Sequence, residues 1–337
     1  MKTVFIVDDS ETNLLVARDA IKDNYKVATM SSATKLFSLL EKRVPDLILI
    51  DIEMPDLNGF DALKTLKSNP IYERIPVIFL TSVSDPETEV RGFELGAVDF
   101  ISKPFSAPVL INRLQTHLKI DELIKMRTSQ LESFQNGLVF VLSDIIESRD
   151  KETGSHIART SAYLHILIKH MIENNVYADE LAPMDIEVLI ASARLHDIGK
   201  IAISDVILNK PSKLDFEEFE IMKTHCCAGE QIIDQIYSWT GDIEFLRYAR
   251  QFVSAHHERW DGNGYPNQLS GLNIPLLGRI MAIVDVYDAL TSVRPYKEAF
   301  EFDVAVEIIT NGRGTQFDPY IVDAFLEVKD CFKQVDA

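Results

Sequence analysis

Five of the eight histidines in this chain of 337 residues stand beside acidic or glycine-rich neighbours. They fall in Glu152-Thr153-Gly154-Ser155-His156, in His196-Asp197-Ile198-Gly199-Lys200, at His225, and in His256-His257-Glu258-Arg259-Trp260-Asp261-Gly262-Asn263-Gly264-Tyr265-Pro266. Imidazole mixed with carboxylate, without thiolate, suits iron, manganese, zinc, cobalt or nickel rather than calcium or a structural zinc. More than four such ligands imply more than one ion, and two close metals can clamp both the attacking and the departing oxygen of a phosphoryl centre. That is hydrolytic chemistry without a protein nucleophile. A solitary histidine on a helix is more often a hydrogen-bonded core residue, and Asp-Gly-Asn-Gly makes a good turn by itself. His117, His165 and His170 are left to that plainer role.

Helical patterning must bring these groups together. Glu152 and His156 are four apart and share a face if their stretch is helical. Within Asp185–Leu195, the residues Ile186, Leu189, Ile190 and Ala193 mark an apolar stripe that Asp197 extends, where an ionised carboxylate needs a metal or a charged partner. The next helix is capped by Asp215 with Glu218 three residues on, and its inward stripe is expected to be Ile221, Met222, His225 and Gly229. Ile280, Ile283, Val284 and Tyr287 define a buried helix beside which Asp285 falls.

A second set of chemical groups lies in the first third. Asp8 and Asp9 follow the apolar run Thr3–Val7, Asp51 ends Leu47–Ile50, Thr81 ends Val77–Leu80 and Lys103 follows Asp99–Ile101. With Lys26–Thr29, these runs read as five strands separated by amphipathic segments, a rhythm that predicts a doubly wound parallel sheet with helices on both faces. In such a sheet the strand ends converge on one crevice. Three carboxylates there repel one another unless a divalent cation sits among them, and hard oxygen ligands suit Mg²⁺. One of them can then accept a phosphoryl group.

From Asp121 the strand signals fade and the remainder reads as helices, so the fold class changes there. Between the halves, Ile120, Ile124, Leu131, Phe134, Leu138, Val141 and Ile145 follow a 3-4 spacing interrupted where Arg127 occupies the seam. This predicts a connecting helix over 121–145, serving either as a core-facing helix of the second domain or as a dimer-forming coiled coil. Length and a hydrophobic content of 46% fit two domains without staples. A net charge of −18 argues against nucleic acid and anionic membranes as partners, so an anionic substrate must be held by a local device such as bound metal. Three cysteines without metal-site spacing, and neither a signal-peptide pattern nor a long apolar stretch, point to the cytoplasm.

Residues 1–120 resemble the receiver domain of bacterial two-component response regulators, on Asp8-Asp9, Asp51-Ile52-Glu53-Met54-Pro55, Thr81-Ser82 and Lys103-Pro104. The resemblance implies a flavodoxin-like α/β fold with Asp51 as phosphoacceptor. It also implies Mg²⁺ held by Asp8, Asp9, Asp51 and the Glu53 carbonyl, Thr81 and Lys103 against the phosphoryl group, Phe100 as the aromatic switch, and a cis Lys103-Pro104 peptide. Its partner would be a sensor histidine kinase or phosphotransfer protein. Residues 130–337 resemble the HD-GYP family on His196-Asp197 and Gly264-Tyr265-Pro266. Members are all-α, metal-dependent phosphodiesterases that hydrolyse cyclic di-GMP to pGpG or GMP. By that resemblance the ligands of two or three ions, iron or manganese foremost, are Glu152, His156, His196, Asp197, His225, His256, His257 and Asp285. Asp197 would bridge, and Lys200, Tyr265, Arg294 and Lys297 would contact substrate. The whole reads as a cytoplasmic, homodimeric response regulator whose phosphorylation controls cyclic di-GMP hydrolysis. Its rivals are a hydrolase of another cyclic dinucleotide or nucleotide and a catalytically silent binding module.

Overall fold

The computed structural model describes residues 1–55, 57–82, 86–149, 156–292 and 299–335. They divide into two compact units, Met1–Leu131 and Glu132–Ala337.

The first unit carries five parallel strands, β1 (Thr3–Val7), β2 (Lys26–Met30), β3 (Leu47–Asp51), β4 (Val77–Thr81) and β5 (Asp99–Ser102), in the order β2-β1-β3-β4-β5. β1, β3 and β4 are buried along their whole length, as central strands covered on both faces must be, whereas β2 at the edge exposes part of its residues. Strands β2 to β5 run one residue further than their apolar cores suggest, so Asp51 and Thr81 are terminal strand residues rather than loop residues. The strand order reverses between β1 and β3, which opens the crevice beside Asp8 and Asp51.

The connecting helix expected over 121–145 is the middle of a longer one, Ala107–Arg149. Its first turns supply Leu110, Leu114 and Leu118 to the first unit's core, and its last turns supply Val139 and Ile146 to a core cluster of the second. The 3-4 seam faces neither core. Ile120, Ile124, Leu131, Phe134, Leu138, Val141 and Ile145 are 48–68% exposed in the single chain, so the core-facing reading of that stripe is corrected.

The second unit is helical. Its centre is the helix Leu276–Thr291, apolar over most of its circumference because other helices cover nearly all of it. Tyr163, Tyr287, Phe325 and Phe332 pack around it as a ring cluster, Tyr163 stacking on Phe332 at 4.7 Å. The helix Phe216–Thr240 starts at the expected capping box of Asp215 and Glu218. Its inward stripe departs from expectation at one end: His225 and Gly229 are buried, but Ile221 is 46% exposed. The interface begins about one turn later, at His225, and continues through Cys226 and Ile233.

Candidate metal centre and phosphoacceptor crevice

The helix Ile186–Ala193 stops before His196-Asp197, so Asp197 does not extend its stripe. Instead Asp197 caps a short 3-10 turn, Ile198–Ala202, which turns the carboxylate toward the Phe216–Thr240 helix. Glycine makes that approach possible: a Cβ on Gly199 would lie 1.8 Å from the His225 carbonyl and 2.5 Å from the Gly229 nitrogen. His256 follows the last turn of the helix Glu244–Ala255, and Asp285 projects from Leu276–Thr291.

Residues distant in sequence meet in two groups whose potential ligand atoms lie within 4.8 Å of one another: Asp197, His225, His256 and His257, and beside them His156, His196 and Asp285. Asp197 faces both. Its Oδ1 is 3.3 Å from His225 Nε2 and 3.6 Å from His256 Nε2, while its Oδ2 is 3.4 Å from His196 Nε2. One carboxylate thus offers one oxygen to each group.

The outer hydrogen bonds set the ring faces. Nδ1 of His196, His225 and His256 lies 2.9, 2.8 and 2.9 Å from the carbonyls of Ala193, Met222 and Phe252. Donation there fixes the Nδ1–H tautomer and leaves each Nε2 lone pair aimed inward, the arrangement of ligating histidines. His196 Nε2 and Asp197 Oδ1 are buried without a hydrogen-bond partner among the described residues. Orphaned buried acceptors are costly unless a cation satisfies them, so the donor set fits divalent metal.

Electrostatics favour the neutral, ligating form at His256 and His257. Burial, reinforced by neighbouring imidazoles, drives His257 well below the ordinary histidine pKa and lowers His256, keeping both neutral and able to coordinate. Burial opposes charge on His196 too, but Asp197 and Asp285 outweigh it and raise its pKa. Asp197 resists burial's upward push because Lys200 and His196 hold its carboxyl well below the usual range. Lys200 Nζ lies 2.9 Å from Asp197 Oδ2.

Tyr265 lies over His257, ring centres 4.7 Å apart, and its peptide to Pro266 is cis. The loop is pinned by buried Glu258, which accepts the Asn267 and Leu269 N–H groups at 2.6 and 3.0 Å. Gly264 must be glycine, since a Cβ there would stand 2.3 Å from the Arg259 nitrogen. A cavity of about 360 Å³ opens here, lined by Lys223, His257, Arg259, Tyr265 and Gln316. Glu152, Arg294 and Lys297 lie outside the described residues.

Sequence reasoning gave Asp288 no role. Its buried carboxylate lies 2.7 Å from His156 Nδ1 and is gripped by Arg159 at 2.6 and 2.9 Å. The available signal was a carboxylate one turn after Asp285 on a helix apolar nearly all round. Cys226 was also passed over, and its sulfur lies 3.5 Å from His225 Nε2.

In the first unit, ligand atoms of Asp8, Asp9 and Asp51 lie within 4.8 Å of one another. Lys103 Nζ reaches Asp8 and Asp51 at 2.7 and 2.8 Å, and the Lys103-Pro104 peptide is cis. Burial raises the Asp51 carboxyl while Lys103 pulls it back. The Glu53 backbone N–H bonds the same carboxylate. Thr81 is buried at the strand end, and Phe100 is buried against Phe79 and Phe93 at 5.3 and 5.0 Å. His117 and His170 make carboxylate contacts away from the cluster, at 3.0 Å to Asp99 and 2.8 Å to Glu327. No helix among the described residues is long and apolar enough to cross a membrane.

Comparison with known proteins divides the chain in the same way. The response regulator receiver domain model matches residues 4–115, and the HD domain model matches residues 140–321. A Vibrio cholerae serotype O1 protein named "Probable cyclic di-GMP phosphodiesterase" is 40% identical over 339 residues, 96% of this chain and 77% of that protein. The "Cyclic di-GMP phosphodiesterase response regulator RpfG" of Xanthomonas campestris pv. campestris is 34% identical over 348 residues, 98% and 89% of the two chains. The "3'3'-cGAMP-specific phosphodiesterase 2" of Vibrio cholerae serotype O1 is 35% identical over 222 residues, 66% of this chain and 39% of that one.

Proposed function

Because the chain belongs to the family of response regulators that join a receiver domain to an HD-domain cyclic di-GMP phosphodiesterase, we propose that Asp51 takes up a phosphoryl group and thereby controls hydrolysis at the Asp197 cluster. The protein is a metal-dependent cyclic di-GMP phosphodiesterase with a receiver domain that accepts phosphoryl groups from a kinase. The observation that carries the site assignment is Asp197 offering one oxygen to each of two adjoining imidazole and carboxylate groups.

In this reading His225, His256 and His257 would hold one ion with Asp197, and His156, His196 and Asp285 another, with Glu152 available to a third. Iron or manganese matches the mixed donor set best, and Asp8, Asp9, Asp51 and the Glu53 carbonyl would hold Mg²⁺. Bound ions supply an acidified water and neutralise phosphoryl oxygens. The chain's own residues do the rest. Lys200, already 2.9 Å from Asp197, offsets negative charge as the phosphodiester is attacked. Tyr265 gives a base a face to stack on, and the resemblance to the family makes Arg294 and Lys297 further candidate cations for the anionic substrate. In the first unit, Lys103 and Thr81 would meet the phosphoryl group and Phe100 would report it.

The exposed seam from Ile120 to Ile145 supports a homodimer through the joining helix, because a contiguous apolar stripe of this length is seldom left in water. The three free thiols suit the reducing cytoplasm. The relative named for 3'3'-cGAMP favours a second substrate reading. Purified protein loaded with Mn²⁺ or Fe²⁺ is assayed on both dinucleotides, beside Asp197→Ala with its fold verified by circular dichroism. Cyclic di-GMP turnover lost in the variant is expected. Cleavage of cGAMP alone supports the second reading, and tight binding without turnover by the parent protein defeats both. Light scattering that finds monomers with and without a phosphoryl mimic at Asp51 refutes the dimer.

A further inference from the structure

The segment bearing His196, Asp197 and Lys200 is built of short turns: the preceding helix ends at Ala193 and the five-residue 3-10 turn Ile198–Ala202 follows Asp197. Its own backbone bonds are short-range ones, such as His196 N–H to the Ala193 carbonyl at 3.1 Å and Lys200 N–H to the Asp197 carbonyl at 2.9 Å, a weaker frame than an α-helix, so neighbouring elements share in setting the position of Asp197. One support is the Phe216–Thr240 helix at Gly199. Another is the end of the Ala107–Arg149 helix.

That helix grips the segment on both sides of the ligands. Upstream, Ser143 Oγ donates to the Arg194 carbonyl at 2.8 Å, two residues before His196. Downstream, Arg149 donates to the carbonyls of Ile201 and Ile203, each at 3.1 Å, and meets the Asp205 carboxylate at 2.7 Å. Asn209 closes the clasp by donating to the Arg149 carbonyl at 2.7 Å. Between the two grips, Ile146 packs in the same apolar cluster as Leu195 and Ile198, the residues flanking His196-Asp197. A planar guanidinium with several donors fixes orientation as well as distance, which a single hydroxyl does not.

We infer that Arg149, at the end of the Ala107–Arg149 helix, is a positioning residue of the metal centre. The inference rests on the Asp197 cluster being the phosphodiesterase centre. A shift of the helix end by roughly 1 Å would stretch these 3.1 Å hydrogen bonds beyond their working range, so the carbonyls of Ile201 and Ile203 are held where Arg149 holds them.

The test is Mn²⁺ titration of the full chain, read as bound metal per folded molecule, with cyclic di-GMP kinetics alongside. Arg149→Ala is expected to weaken Mn²⁺ about ten-fold or more, as loss of outer support around metal ligands typically does, with kcat falling in step and KM little changed. Arg149→Lys keeps the charge without the fork and should recover part of the affinity, and Ser143→Ala should lose less in the same direction. Unaltered Mn²⁺ affinity in folded Arg149→Ala, even with a lowered melting temperature, overturns the inference. If that variant does not fold, unaltered affinity in Ser143→Ala overturns it. The titration needs no nucleotide, so a parent protein that binds Mn²⁺ but spares cyclic di-GMP counts against the proposed activity and leaves the positioning role to be decided by the metal data.

Discussion

Asp288→Ala removes the carboxylate that stands 2.7 Å from His156 Nδ1 and that Arg159 holds at 2.6 and 2.9 Å. The Asp288 side chain is 2% exposed and that of Arg159 19%, so the arginine would keep its charge in a half-dry site after losing its contacts to this carboxylate. Breaking a buried pair in this way costs about 3–5 kcal/mol, and the solvent access of Arg159 places the loss near the lower end, about 3 kcal/mol. In a unit of this size each kcal/mol lowers the melting temperature by roughly 2–4 °C, so a drop of about 6–12 °C is expected for metal-free protein. His156 also loses the acceptor that fixes its tautomer, which should weaken metal binding by about 10–100-fold. Asp288→Asn separates the two effects, because its amide oxygen still accepts from Nδ1–H while the charge facing Arg159 is gone. It should keep most of the stability loss and recover most of the metal affinity. Calorimetric melting and Mn²⁺ titration of both variants provide the readouts. If Asp288→Ala melts and binds Mn²⁺ like the parent, or if asparagine is no better than alanine for Mn²⁺, Asp288 does not hold His156 for metal.

Gly199→Ala forces a Cβ into the His225 carbonyl at 1.8 Å, where only backbone movement relieves the clash; a loss of about 3 kcal/mol and of bound metal is expected, and an unchanged melting curve counts against the packing described here. Asp51→Asn should abolish phosphoryl uptake from acetyl phosphate while hydrolysis by the second unit persists, and labelled phosphate remaining on the variant would exclude Asp51 as acceptor. Although burial works against it, Arg113 and His117 hold the Asp99 carboxyl below its ordinary value. Its contribution to stability is therefore complete above the unfolded carboxylate pKa of about 3.9 and is lost as pH falls through the depressed folded value. Arg113→Ala should move acid unfolding of the first unit to higher pH by circular dichroism, and coincident acid titrations contradict that reading.

Local chemistry and periodicity determined much of this protein. The run of apolar strands ending in Asp51 and Thr81 specified a parallel sheet and the side of it that gathers carboxylates, because alternation of strand and helix admits few topologies. The capping box at Asp215 and Glu218 and the buried helix beside Asp285 were likewise legible, each being decided within a few residues of chain. The histidine motifs named the candidate ligands without saying how they divide. Tertiary structure decided that Asp197 stands on a 3-10 turn rather than on a helical stripe, that Ile221 faces water, and that Asp288, Arg159 and Arg149 buttress the cluster. Those facts depend on pairs such as His156 with Asp288 and Arg149 with Ile203, separated by 132 and 54 residues. A periodic pattern reports which face of an element is apolar. Which polar group from another element meets it there is set by the packing of helices, and no local spacing encodes that.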